Sequence, residues 1–437
     1  MLDFEGQAVR AFTGEPLAVS LFAAGIRTLG RSTKYHRPRG AFCFVGHCAS
    51  CLLRVDGQPN IRACQVPSRA GLRCEHQNAF PSAEVDFLAA ADWMFPDGMD
   101  HHTLMTGNRP ANRLLMSLVR QVGGSGTLPD AAPATIPASR DLLVDVCVVG
   151  GGPAGLAAAT AIARRVPGKQ LLVVDEQPEP GGSWLAQPDG ARHAARAVAD
   201  AQAAGVPLRS RARVIGFFPE DVTATVALHP DRAAFLPGTL VVVTPDELLR
   251  ISARIIVYAT GGYDQNLPFL DNDGPCIVSA RACGRLSFRH GVKPGERIVI
   301  VDDADLASEL AAGLEAAQIS TVRIDARRTR PVATVGGSHL RGLEVVEPDG
   351  RQHRIRADLI VVAATPSPAA ELPRQHGAAV RFDGPGGGYA VAVDPTFRTT
   401  APGIFACGDV TGYRGPAAAA LAGAAAGREI AQTVVSP

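Results

Sequence analysis

The sequence predicts a multidomain α/β chain, and three observations carry that expectation. Four cysteines lie close together near the N-terminus among short strand signals. A glycine-rich turn joins an apolar run to a helical pattern from Leu142 onward. A second strand–turn–helix–strand pattern follows from about residue 295. At 437 residues the length suits about three domains.

Composition narrows the function classes. Hydrophobic residues make up 46% of the chain, enough for several cores, and a net charge of +1 leaves no basic footprint for nucleic acid. The opening MLDFEGQAVR is polar and acidic, unlike a signal peptide. No run reaches the ~18 uncharged apolar residues needed to span a bilayer. Apart from the four clustered cysteines, Cys74, Cys147, Cys276, Cys283 and Cys407 show no regular spacing and read as small core residues. That usage fits a reducing cytoplasm.

In chain order, EPLAVSLFAAGIRTLG has the apolar spacing of a short helix. Next come Cys43, Cys48 and Cys51, and then, after twelve intervening residues, Cys64. C-x4-C-x2-C followed by a distant fourth cysteine is the plant-type ferredoxin spacing, in which four thiolates hold a 2Fe–2S cluster. Gly46 sits mid-loop, where small residues let the backbone fold around the sulfurs. Asp56-Gly57 is a hairpin signal that returns Cys64 to the loop. Zinc is the weaker reading, because its sites pair one C-x2-4-C with a second such pair or with histidines. A ferredoxin-like β-grasp domain over residues 1–95 follows from this reading. The basic residues Lys34, His36, Arg37 and Arg39 flank the loop; they read equally well as a docking surface and as a solvated loop. His47 reads as a neighbour of the cluster rather than a ligand. His101-His102 has no third ligand in register.

Residues 96–140 form a Gly- and Pro-rich connector. LLVDVCVV then reads as a buried parallel strand, and Gly150, Gly152 and Gly155 stand in G-x-G-x-x-G spacing before a helix that opens at Pro153 and Ala154. These glycines allow the tight turn, the approach of a pyrophosphate and close helix packing, and the helix N-terminus faces the phosphates. About twenty residues on, the next strand ends in Asp175-Glu176, either of which can bind a ribose. A bound dinucleotide is the expectation.

Further on, a buried strand ends at Ala259, Thr260 and Gly261, a Gly181-Gly182 pair follows EQPEP, and FACGD places Gly408 and Asp409 before a small-residue helix. Together these resemble the glutathione-reductase-like flavoproteins with two Rossmann domains, over roughly residues 142–435. The resemblance implies FAD on the first fingerprint, Asp409 on the ribityl chain and the final helix aimed at the flavin pyrimidine. NAD at that fingerprint is the weaker candidate. The second unit, GERIVIVDDADLASELAAGLEAAQISTVRIDAR, carries Asp302, Asp303 and Asp305 where this class has glycines. Carboxylates there repel a pyrophosphate, so NAD(P)H is not expected at this unit. No cysteine pair follows Gly182, so disulfide reduction is excluded.

GRSTKYHRPRG ahead of the cysteine loop and the stretch at 97–130 extend the likeness across nearly the whole chain. The chain resembles the α subunits of heteromeric sarcosine oxidases and the related cluster-bearing opine oxidases, proline and hydroxyproline dehydrogenases and hydrogen cyanide synthase. The resemblance implies a cytoplasmic electron-transferring subunit with FAD and one 2Fe–2S cluster. Its partner would be a D-amino-acid-oxidase-like flavoprotein β subunit, with room for a small third subunit. Electrons would go to a quinone, oxygen or carrier, and a membrane acceptor would draw the complex to the inner membrane. The domain reading is 1–95 cluster domain, 96–140 connector, 141–280 first half of the FAD domain, 281–368 degenerate second Rossmann domain and 369–437 second half of the FAD domain. No residue is assigned a catalytic role. The alternatives are an NAD(P)H-dependent flavin and iron–sulfur reductase and a non-catalytic assembly subunit.

Overall fold

The computed structural model describes residues 1–32, 35–90, 137–219, 236–336 and 339–435, with Pro110 and Arg113. Lys34, His101 and His102 lie outside the described residues. The chain divides into two compact units, each built from two stretches: 1–132 with 266–364, and 133–265 with 365–437.

In the first unit a five-stranded sheet runs in the order Gln7–Val9, Leu2–Phe4, Arg73–Glu75, Leu52–Val55, Gln58–Arg62. Leu2–Phe4 lies parallel to Arg73–Glu75, and the remaining pairs are antiparallel. Helix Leu17–Ala23 buries six consecutive residues, Leu17 to Phe22, so it is enclosed on all sides rather than along one stripe. Asp56 and Gly57 both take positive φ, 46° and 79°, as a two-residue hairpin turn of the primed kind demands.

The other half of this unit is a four-stranded parallel sheet, ordered Ile277–Ser279, Leu359–Ala363, Arg297–Asp302, Ser320–Asp325. Its central strands are near-continuous Val and Ile, as buried parallel strands require. One hydrophobic core runs through both halves, joining Leu21, Leu29, Phe44 and Leu53 to Val278, Leu286, Ile298 and Val361. At the seam Gly40 has no room for a side chain: a Cβ would stand 2.6 Å from the Arg27 carbonyl oxygen and 2.7 Å from Pro275 Cα. Arg27 donates to the carbonyls of Phe22 (2.6 Å) and Pro294 (3.3 Å), and Phe42 O accepts from Ser279 N at 3.0 Å. The cluster half and the second Rossmann half thus share one interior, an arrangement that composition alone does not reveal.

The second unit is a seven-stranded sheet whose long central strands, Ala138–Val149 and Glu247–Tyr258, pair in parallel along eleven residue positions. The first of them begins at Ala138, inside the stretch that reads as connector, because Ala138–Asp141 finds backbone partners on Glu247–Arg250. Ile404–Ala406 adds in parallel to the carboxyl end of Glu247–Tyr258. Helices Pro153–Arg165 and Pro416–Val435 pack tightly, and Cβ atoms at Gly423 and Gly427 would overlap the carbonyl oxygens of Ala154 and Ala158. The compact units change over at 265/266 and 364/365, so strand Ile277–Ser279 groups with the second Rossmann half. Among the described residues, no helix is long and apolar enough to cross a membrane.

Candidate functional site

The cysteine loop, residues 43–51, carries almost no regular structure, and its shape depends on left-handed turns at Phe44 (φ 56°) and Gly46 (φ 83°). A Cβ at Gly46 would stand 2.8 Å from the Gln65 side chain. The hairpin returns Cys64 in a short 3-10 turn whose Ala63 N–H bonds Cys51 O at 3.0 Å. Cys43, Cys51 and Cys64 are buried, while Cys48 is half-buried beside exposed Ala49.

The four thiols form a contiguous row, in which Cys48 meets Cys43, Cys43 meets Cys64, and Cys64 meets Cys51 at 3.5 Å. Backbone N–H groups point at the sulfurs, Gly46 N to Cys64 Sγ at 3.1 Å and Cys48 N to Cys43 Sγ at 3.3 Å. The Cys43 thiol is pulled well below its ordinary range by hydrogen bonds from the Cys48 and then the Cys64 side chains, with the Cys48 and Val45 N–H groups adding to the effect. Cys51 is drawn down in the same way by Cys64, while the donors Cys48 and Cys64 are pushed up by the same contacts. Thiolates are the metal-binding form. Two thiolates on one tetrahedral metal stand roughly 3.8 Å apart for bonds of about 2.3 Å, so the Cys51–Cys64 spacing suits a shared metal. Among the described residues no three His, Cys, Asp or Glu side chains converge to hold a single ion. A row of four suits a two-iron centre with two thiolates per iron.

Two residues of the neighbouring basic stretch, His36 and Arg39, are held by other parts of the chain. His36 is fully buried, with Nδ1 3.0 Å from an Asp86 carboxylate oxygen and 3.0 Å from Asn78 O. Arg39 is ion-paired with Asp273. Docking through His36 is therefore ruled out by its burial.

In the second unit the predicted dinucleotide residues converge at the carboxyl ends of the parallel strands, where open α/β sheets bind ligands. Gly150 takes φ 111°, and a Cβ there would overlap Ala259 O; a Cβ at Gly155 would overlap Gly150 O. Gly181 N donates to Gly151 O at 2.8 Å, and a Cβ at Gly182 would stand 2.8 Å from Gly152 Cα and 3.1 Å from Pro153 Cδ. A Cβ at Gly408 would stand 2.6 Å from that of Ala154, so buried Asp409 abuts the head of the fingerprint helix. Thr260 donates its hydroxyl to Ala369 O at 2.7 Å, fixing the turn through Gly261. The result is a cradle walled by backbone, the form a pyrophosphate needs.

Asp175 and Glu176, alike in spacing, are separated by geometry. The Asp175 carboxylate accepts from the N–H of Gly151, inside the glycine turn, and from Gln177 N at 2.6 Å. Glu176 pairs with Arg213 Nε at 3.0 Å. Spacing does not point to the Gly151 N–H as a partner, because Gly151 lies between the fingerprint positions.

Residues 1–79 match the family described as 2Fe-2S iron-sulfur cluster binding domain, residues 148–203 the NAD(P)-binding Rossmann-like domain, and residues 295–426 the pyridine nucleotide-disulphide oxidoreductase family. Sarcosine oxidase subunit alpha of Rhizobium meliloti is 30% identical over 406 residues, 86% of this chain. The chain belongs to the sarcosine oxidase α-subunit-like family. It carries a 2Fe–2S cluster-binding domain and an FAD/NAD(P)-binding oxidoreductase module. It spans 40% of the length of that relative. Hydrogen cyanide synthase subunit HcnA of Pseudomonas aeruginosa is 40% identical over 84 residues, 19% of this chain and 80% of that protein. The crystal structure of L-proline dehydrogenase from P. horikoshii shares the fold, with a TM-score of 0.71 over 99% of this chain and 73% of that one at 20% identity.

Proposed function

We propose that this chain is the electron-transferring subunit of a heteromeric amine or imino-acid dehydrogenase or oxidase, of the sarcosine, proline, hydroxyproline or opine type. The observation that carries the reading is the pairing, in one family member, of a four-thiol row suited to two irons with a backbone-walled dinucleotide cradle. Cys43, Cys48, Cys51 and Cys64 would hold the cluster. Gly150, Gly152 and Gly155, with Pro153 and Ala154 at the helix head, would admit the pyrophosphate of FAD. Asp175, already turned to the glycine turn, would hold the ribose, and Asp409 would face the ribityl chain. Gly182, Ala259, Thr260, Gly261 and Gly408 would line the same cradle.

A bound flavin and a 2Fe–2S cluster would together convert electron pairs into single electrons. The chain's own contribution is positional. Buried Cys51 and Cys64 hold one side of the row away from water, while half-buried Cys48 beside Ala49 leaves the other side approachable. The amine itself would be oxidised on a partner, a D-amino-acid-oxidase-like flavoprotein subunit.

The test is compositional and kinetic. Anaerobically purified chain should contain about two irons, two acid-labile sulfides and one FAD, as a single such cluster requires. Cys48→Ser should remove the EPR signal of the reduced cluster without removing the flavin. Co-expressed with the partner subunit, the chain should purify as a stable hetero-oligomer that oxidises one of these amines, and alone it should not. One zinc and no sulfide would sink the cluster assignment, and amine turnover by the chain alone at the rate of the complex would sink the subunit reading.

A further inference from the structure

The second strand–turn–helix unit has lost its glycines, yet its turn keeps the donors that face an anion. Asp302 ends strand Arg297–Asp302 and is only 1% exposed. Its Oδ1 accepts from Ala304 N at 3.2 Å and Leu306 N at 3.0 Å, and its Oδ2 accepts from Ala307 N at 3.1 Å. Those N–H groups lead straight into helix Ser308–Ala316. Arg323, on the adjacent strand, completes the shell: Nε donates to Asp302 Oδ2 at 2.9 Å, and the same guanidinium binds Asp305 and, at 2.9 Å, Ser308 Oγ. Three backbone donors at a helix start and one guanidinium are the set that a phosphate group would recruit.

We propose that Asp302 is a built-in anion that occupies the phosphate position of the second Rossmann turn and so excludes nicotinamide dinucleotides from it. The exclusion has two parts. The donors that a pyrophosphate needs are already satisfied, and a second anion brought beside a buried carboxylate would meet its charge in a low-dielectric setting. Asp302 is therefore a specificity-determining residue, because it removes NAD(P)H from the electron donors open to this chain. The unit keeps its fold and serves as the seat of the cluster half, with which it shares a core. This inference does not depend on which amine the complex oxidises.

The full-length, flavin-replete chain is titrated with NADH and with inorganic pyrophosphate, with NADH fluorescence and melting temperature as readouts. Wild type should bind no NADH at millimolar concentration and show no pyrophosphate-dependent rise in melting temperature. Asp302→Gly should melt several degrees lower and recover part of that loss with pyrophosphate. Should it fail to fold, Asp302→Ser, which leaves room for the anion and retains a small cap, should show the same recovery. Micromolar NADH binding to wild type overturns the proposal and leaves the cluster and FAD assignments untouched. A folded Gly or Ser variant that melts like wild type and ignores pyrophosphate also overturns it. If neither variant folds, the wild-type titration decides.

Discussion

The turn after Val149 and the turn after Asp302 start from the same plan, a buried parallel strand running into a helix, and they part at the first residue. In the first, Gly150 clears the way with φ 111° and a carboxylate from the next strand, Asp175, reaches in to the Gly151 N–H. In the second, the strand ends in its own carboxylate, which takes three turn N–H groups and an arginine. The difference teaches that a Rossmann turn is defined by where its anion comes from. When the acid sits one strand away, the cradle stays open to a ligand; when it sits at the strand end, the chain fills the cradle itself.

That contrast can be broken most severely at Gly155. Gly155→Val would drive a side chain into the Gly150 carbonyl oxygen, and a core clash of this kind costs more than about 3 kcal/mol. The expected outcome is little soluble protein and no flavin absorbance in what remains. Asp175→Ala comes next. Losing a charged hydrogen-bond acceptor weakens FAD binding by on the order of 1.5–3 kcal/mol, measurable by equilibrium dialysis of reconstituted apoprotein. Wild-type affinity in that variant would reduce Asp175 to a turn cap. Glu176→Ala sharpens the distinction from the other side. Its pair with Arg213 is partly exposed, so stability should change by less than about 1 kcal/mol and flavin content should not change.

The smallest effect is in acid, and it touches the strand that lines the open cradle. His376 lies 3.1 Å from the Tyr258 hydroxyl and stacks on Phe217 with ring centroids 3.6 Å apart. Burial pulls its pKa from 6.5 to about 4. Below pH 6.5 the unfolded chain takes up a proton that the folded chain refuses until about pH 4, so this site's stabilisation is lost progressively across that window. His376→Phe should flatten the fall in melting temperature between those pH values. An unchanged pH profile would show that the ring stays solvated in the folded chain.

Much of this was legible beforehand because it rests on short-range rules. Asp56-Gly57 names its hairpin, and the order of apolar run, glycines and helix names the first βαβ unit. Other features were not legible, because spacing carries no direction. Asp175 and Glu176 are adjacent in sequence, and only the fold turns one toward Gly151 and the other toward Arg213. Asp302 reads as a charge that repels a ligand; that it turns inward onto the N–H groups ahead of Ser308 depends on Arg323, 21 residues on, across the sheet. His36 reads as part of a basic surface, yet pairing with Asp86, 50 residues away, draws it inside. The seam at Gly40 has no local signature, because its neighbours Pro275 and Pro294 lie beyond an entire intervening FAD-binding half.

That interleaving has a consequence in time. The cluster half leaves the ribosome first, but the stretch that completes its core runs to residue 364. At about 5–20 residues per second, the interval between synthesis of residue 90 and residue 364 lasts roughly 15–55 s. Early in that interval Leu21, Leu29 and Phe44 lack the partners that Val278, Leu286, Ile298 and Val361 later supply, while the whole cysteine loop has already been made. Any iron delivery to the nascent chain, and any chaperone cover of its apolar face, would therefore meet the same half-built object, and synonymous codons that slow translation between residues 90 and 364 would lengthen its exposure.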